Sequence, residues 1–301
     1  MAKSVAVSDP LIGGIGLAMA GSVLFSGKAI VVKLAYRYGV DAATLIALRM
    51  LFAAPIFAIV YVRCSRHAQP LTFGDHLKIG SVGIIGYYGA SYLDFLGLQH
   101  ITAGLERLIL YLNPTLVLLL SVVMFARRPG RRDYLAFVVA YAGIAFALWH
   151  DLRLEGDNVL LGVTLVFASA VCYAVYLTAS GELVSRVGAI RLTAHAMLAA
   201  TAGVVVQALV VDVGAMLEQP AEVYWLSLVN ALFCTVLPVF ATMVAVERIG
   251  AGKTSIAAMI GPVSTIFFAW ILLGEGLSIW QACGTVLVLA GVLLLTQARS
   301  A

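Results

Sequence analysis

Residues 101–114 read ITAGLERLILYLNP, and residues 249–262 read IGAGKTSIAAMIGP. The two stretches lie 148 positions apart, with Ile101, Ala103, Gly104 and Pro114 falling on Ile249, Ala251, Gly252 and Pro262. Without a gap, the same offset carries Gly14, Leu17 and Ala20 onto Gly162, Leu165 and Ala168, and Ala142-Gly143 onto Ala290-Gly291. In so apolar a chain single identities arise by chance. Proline on proline, and whole hydrophobic blocks lying over each other, carry the weight. The chain therefore reads as one five-helix unit used twice, over residues 1–150 and 151–301. An internal repeat of this kind in a membrane protein points to transport.

The composition supports the membrane. Hydrophobic residues make up 62% of the chain and charged residues 11%, against about 25% charged in a soluble domain. A hydrocarbon core of ~30 Å needs about 20 apolar residues per helix. Ten spans are expected in an all-α integral membrane fold, near 11–33, 41–62, 75–98, 103–125, 132–149, 158–180, 189–211, 222–245, 251–273 and 277–297. Lys3, an apolar run and Ala18-Met19-Ala20 have the outline of a signal peptide. The apolar run continues past that site and the repeat begins by Gly14, so the segment is read as the first span.

Charge sets the orientation. On the side of the N-terminus stand Lys3, Arg63, Arg66, Lys78, Arg127, Arg128, Arg131, Arg132, Arg186, Arg191, Arg248, Lys253 and Arg299; opposite them stand Lys33, Arg37, Arg107 and Arg153. Both termini are therefore expected in the cytoplasm, with the protein in a bacterial inner membrane. Asp151, Glu155, Asp157, Asp212, Glu218, Glu222 and Glu275 fall outside. Matched loops carry opposite charge: four arginines follow the fourth span, where Glu275 follows the ninth. Five spans is an odd number, so the second unit enters the bilayer inverted. Cys64, Cys172, Cys234 and Cys283 form no CxxC and read as apolar filling, so no metal or disulfide is expected. The net charge of +4 fits loops near anionic lipid, not nucleic-acid binding.

Each half holds an apolar block, a Thr/Gly-Ala-Gly helix start, a proline about ten residues on, and a closing helix with Ala-Gly. These are Thr102-Ala103-Gly104 with Asn113-Pro114, and Gly250-Ala251-Gly252 with Gly261-Pro262; Leu273-Gly274-Glu275 precedes the last helix. The arrangement resembles the EamA family of the drug/metabolite transporter superfamily, and within it bacterial amino-acid exporters of the YddG type. The resemblance covers nearly the whole chain. It implies ten helices, both termini cytoplasmic, and efflux of small metabolites through a central cavity between the halves. One departure is that the first repeat has Phe125-Ala126-Arg127 where the second has Leu273-Gly274-Glu275, which argues against an essential role for that glutamate.

Ionisable and aromatic residues at membrane depth are the candidates for a pathway. Lys28 lies midway along the first span; such a group is paired or faces water. Arg49 is read as structural; Asp94 and Glu106-Arg107 are possible partners for these cations, but all three are read as interfacial because they lie near span ends. Tyr88 and Tyr92 share a helix face, and Tyr111 with Asn113, Tyr173 and Tyr176 lie deep. Tyrosine offers a ring and one hydroxyl, suited to amphipathic solutes; interface anchoring is the plainer role, and Tyr36, Tyr38, Tyr61, Tyr134, Trp149, Tyr224 and Trp280 fit it. Lys28, Tyr88, Tyr92, Tyr111, Asn113, Tyr173 and Tyr176 are thus the expected substrate-binding set. Pro55, Pro114, Pro238 and Pro262 each remove a backbone donor inside a helix; the last three are expected to kink or gate, or to serve packing alone.

Gly250-Ala251-Gly252-Lys253-Thr254 mimics a phosphate-binding loop, but Glu247 stands where the first glycine belongs. Nucleotide binding, and with it an ATP-driven pump built from this chain alone, is rejected on that basis, and no cofactor is expected. Scattered histidines and the absence of HExxH or a nucleophile elbow argue against a membrane enzyme. The expected function is secondary export of small metabolites, amino acids including aromatic ones, by alternating access. Asp94 is the nearest candidate for a mid-membrane acid and is not a convincing one, so uncoupled facilitated diffusion is favoured. The alternative is a flippase or exporter of lipid-like or drug-like molecules. One chain supplies both halves, so a monomer suffices and a dimer is compatible.

Overall fold

The structure, a computed structural model, describes residues 10–66, 68–125, 130–155, 158–211, 213–276 and 278–298. Lys3, Ala126, Arg127, Arg128, Asp157, Asp212 and Arg299, used above, lie outside them. Every regular element among the described residues is helical. The first half comprises α1 (Pro10–Tyr36), α2 (Ala42–Ser65), α3 (Phe73–Gly83), a π-helical turn (Ile84–Gly89), α4 (Ala90–Leu98), α5 (Ala103–Leu110), α6 (Asn113–Phe125) and α7 (Arg131–Glu155). The second comprises α8 (Asn158–Val187), α9 (Ala189–Val211), α10 (Val213–Leu217), α11 (Ala221–Ala231), a π turn (Leu232–Val236), α12 (Leu237–Ala257), α13 (Ile260–Phe268), a π turn (Ala269–Leu273) and α14 (Ile279–Ala298). Seven helical stretches among the described residues are long and apolar enough to cross a membrane, and Tyr134–Ala147 and Ile279–Leu294 are shorter apolar helices. Apolar side chains such as Phe73, Val123, Val210 and Ile279 stand on the outside, as a lipid solvent permits.

Backbone features recur at the repeat offset. The π turns at Ile84 and Leu232 begin 148 residues apart, as do α1 and α8, α3 and α11, and α7 and α14. Packing follows the same rule: α2 lies on its counterpart α9, α7 on its counterpart α14, and the pair α4 and α8 is matched by α12 and α1. Gly14 packs against Ile249 and Gly162 against Ile101, so closely that a Cβ on either glycine would strike the isoleucine. Between α7 and α14 the backbones themselves touch: a Cβ on Gly143 would lie 2.8 Å from the Gly284 carbonyl, and one on Gly291 2.8 Å from that of Ala136. Small residues permit this approach, and in lipid such packing drives helix association.

The two broken helices follow from their prolines. In an unbroken helix the Leu110 carbonyl would accept from residue 114 and the Ala258 carbonyl from residue 262; both are prolines and have no N–H. The chain breaks at each place, between α5 and α6 and between α12 and α13. Side chains replace the missing donors. Asn113 Nδ2 donates to the Leu110 carbonyl at 2.7 Å, while Tyr111 and Ser22 hydroxyls donate to that of Ala258 at 2.5 and 2.6 Å. The segments start alike too. Thr102 caps α5 by accepting from the Leu105 N–H at 3.2 Å; at the matched position the chain turns at Gly250, whose φ of 80° suits glycine.

Glu275 has a definite structural place. Gly274, at φ 73°, ends the third π turn in the left-handed region. It aims Glu275 at the start of α5, where its carboxylate accepts from the Ala103 N–H at 3.1 and 3.2 Å and pairs with Lys33 at 2.8 Å. A carboxylate at a helix N-terminus is favoured by the exposed N–H groups there. The residue ties three segments together, a role the sequence reading did not foresee.

Candidate substrate cavity

A cavity of about 320 Å³ opens among the helices of both halves, within the range of small-molecule sites. On α1 it is faced by Gly21, Ser22, Phe25 and Lys28, with Phe25 and Lys28 following at the three- and four-residue spacing of one helix face. The π turn and α4 present Tyr87, Ala90, Ser91 and Asp94; the second π turn and α12 present Thr235, Pro238, Val239 and Thr242. These two sets are the same positions, 148 apart. Gly21 and Phe25 likewise match Ser169 and Tyr173 on α8, and Arg49 on α2 matches Met197 on α9. Equivalent surfaces of the repeats thus build opposite walls.

The walls differ in charge. Lys28 Nζ donates to Asp94 Oδ2 at 2.5 Å and stands 3.3 Å from Glu106 Oε1, all three side chains being buried. Arg107 donates to Ser26 Oγ at 3.3 Å and lies over the rings of Phe25 and Tyr111, 4.8 and 5.4 Å from their centroids. Arg49 donates to Ser91 Oγ at 2.7 Å and lies 4.8 Å over the Phe95 ring. At the matched positions of the second half stand Tyr176, Thr242, Thr254, Ser255 and Met197, none of them charged.

Of the expected binding residues, Lys28, Tyr111, Asn113 and Tyr173 line the cavity, as does Pro238. Tyr88, Tyr92 and Tyr176 stand off its wall. Tyr88 and Tyr92 belong to the neighbouring face of their helix, about 100° round, where Tyr88 packs on Gly203 of α9 and both join the core around Phe95. Tyr176 is buried behind Tyr87, ring centroids 4.7 Å apart and hydroxyls at 3.4 Å, with Gly86 pressed against it. Tyr87 takes the place expected for its neighbours. Pro114 and Pro262 lie beside the cavity at the helix breaks, acting through the carbonyls they free. Asp94, Glu106 and Arg107, expected at the interface, are buried inside the bundle, with exposures of 1%, 0% and 4%. Proximity to a span end does not report which way a side chain turns, and these turn inward to Lys28 and α1. The four cysteines are free thiols.

Apolar helices in two matched sets, around a charged cavity, define a multi-pass membrane transporter. The model of the EamA-like transporter family matches residues 12–149 and again 160–297, which reproduces the offset of 148. The chain belongs to that family. It is 30% identical over 88% of its length to the uncharacterized transporter YcbK of Bacillus subtilis, covering 86% of that protein. It is 29% identical over 63% of its length to the threonine/homoserine exporter RhtA of Escherichia coli K12, covering 61% of that chain. A solved crystal structure superposes with a TM-score of 0.64 over 95% of this chain and 96% of the other, at 17% identity. That likeness speaks to the fold.

Proposed function

We propose that the protein is a secondary transporter that exports amino acids across a bacterial inner membrane by alternating access. The observation that carries this reading is the cavity whose opposite walls are equivalent positions of the two repeats. Rocking one half against the other around such a site exposes it to each side in turn. In this reading α1 to α14 make ten spans in two inverted five-helix units, 1–150 and 151–301, with both termini in the cytoplasm. The self-matched pairs α2 with α9 and α7 with α14 support a two-fold relation, and the opposite charge of matched loops supports its inversion. Lys28, Tyr111, Asn113 and Tyr173 form the proposed substrate wall, with Tyr87 added. The name of RhtA favours threonine-like solutes; the rings at 87, 111 and 173 favour aromatic ones as well.

The test is flux into liposomes holding the purified protein, with labelled threonine, homoserine, phenylalanine and tyrosine. Uptake of several of these above empty liposomes supports the proposal; none, with folded protein, overturns it. Asp94, the acid the sequence offered as nearest candidate, and Glu106 are both buried. The same liposomes are therefore assayed with and without a proton gradient. Indifference to the gradient establishes facilitated diffusion, and strict dependence assigns coupling.

A further inference from the structure

Three cations, Lys28, Arg49 and Arg107, line the cavity, and their surroundings are not equivalent. Lys28 stands between the carboxylates of Asp94 and Glu106. Arg107, like Arg49, has no acceptor at Nε and no carboxylate within ion-pair distance among the described residues, but it is held between two aromatic rings, Phe25 and Tyr111, and Ser26, where Arg49 has the one ring of Phe95. Arg49 is 4% exposed, yet among the described residues no carboxylate lies within ion-pair distance of it. Its one hydrogen bond goes to Ser91 at 2.7 Å, and Nε has no acceptor. Asp94 acts on Arg49 only from beyond ion-pair distance, and a cation withdrawn from water with no counter-charge in contact is disfavoured unless a ligand supplies one.

We infer that Arg49, with Ser91, receives the carboxylate of the transported solute. This rests on the transporter reading above and adds a chemical requirement to it. The guanidinium fork matches a carboxylate in two parallel hydrogen bonds, which the ammonium of a lysine does not reproduce. Ser91 and Asp94 lie one turn apart on α4, and Asp94 Oδ1 has no hydrogen-bond partner. An α-amino acid satisfies both ends, its carboxylate on Arg49 and its ammonium towards Asp94. Solutes that keep the amine and lack the carboxylate are refused.

The test is counterflow of labelled L-threonine in liposomes, challenged with unlabelled L-threonine or with L-threoninol, in which the carboxylate is reduced to an alcohol. Threoninol is expected to compete at least tenfold more weakly. Arg49→Gln is expected to raise the half-saturating concentration of threonine at least tenfold, and Arg49→Lys to rescue it only in part, with thermal unfolding checking that each variant is folded. Equal competition by the two solutes, or an unchanged half-saturating concentration in folded Arg49→Gln, overturns the assignment while leaving amino-acid transport standing. If Arg49→Gln does not fold, competition on the unaltered protein decides alone. Absence of any amino-acid counterflow overturns both readings.

Discussion

Lys28 is the residue on which the charged wall depends. Replacing it with methionine leaves Asp94 and Glu106 buried and facing each other with no cation between them. Breaking a buried pair in this way costs about 3–5 kcal/mol, so Lys28→Met is expected to lose most folded protein, read by fluorescence-detected size exclusion. Adding Asp94→Asn and Glu106→Gln to it is expected to restore folding, because the repulsion goes with the charges. Asn113 makes a second test. Asn113→Ala strands the Leu110 carbonyl and is expected to cost about 1–3 kcal/mol in unfolding. Combined with Pro114→Ala, which returns a backbone N–H at that place, the loss is expected to shrink, and a double-mutant cycle measures the coupling. Lys28 was legible in the sequence because a charge inside an apolar helix has few explanations. Its acidic partners, Asp94 and Glu106, were named as candidates, but the interfacial reading was preferred because distance along a span says nothing of direction. The tyrosine row at 88 and 92 misled because aromatic residues at helical spacing serve a packed face as well as a cavity, and two adjacent faces of one helix carry equally plausible sets.

Among the elements, the seam between α7 and α14 is the most exacting. Their backbones meet at Gly143, Gly284 and Gly291, so no rotamer can accommodate a larger residue. Gly143→Leu is expected to destabilise by about 1–3 kcal/mol as an overpacking change, or to part the helices, read as a lower thermal midpoint in detergent. Gly181, with nothing near its Cβ position, is the control and is expected to accept alanine unchanged. Kinks were expected at Pro55, Pro114, Pro238 and Pro262; the helix breaks fall at Pro114 and Pro262 while α2 continues through Pro55, and the π turns were not expected. A π turn inserts a residue without a proline or any other punctuation, so the hydrophobic period passes through it unmarked. The capping box at Thr72 and Asp75, where each side chain bonds the other's backbone N–H at 3.2 and 3.0 Å, was legible in kind from its spacing, though it was not read.

For the whole molecule, the offset of 148 was the legible fact, because repetition survives any uncertainty about single helices. It led to matched blocks, and the family model divides the chain at the same interval. The walls of the cavity could have been found by the same device, pairing Tyr87 with Thr235 and Asp94 with Thr242; the search for conspicuous side chains passed over them because half of each pair is bland. Orientation gives the prediction at this scale. A fluorescent protein fused after Ala301 is expected to shine, and alkaline phosphatase fused there to stay inactive, both reporting a cytoplasmic end; the reverse pattern would invert the assignment.

The four charged residues lining the cavity, Lys28, Arg49, Asp94 and Arg107, and Glu106 beside Lys28, all belong to one half of the pseudo-symmetric pair. The membrane voltage therefore grips the two halves unequally. As one rocks against the other on the alternating-access reading, the charged wall travels through the electric field while the neutral wall carries nothing. Each elementary charge crossing the full field exchanges about 2.3 kcal/mol per 100 mV. On that reading the two open states are expected to differ in energy on an energised membrane, and flux is expected to depend on the membrane potential.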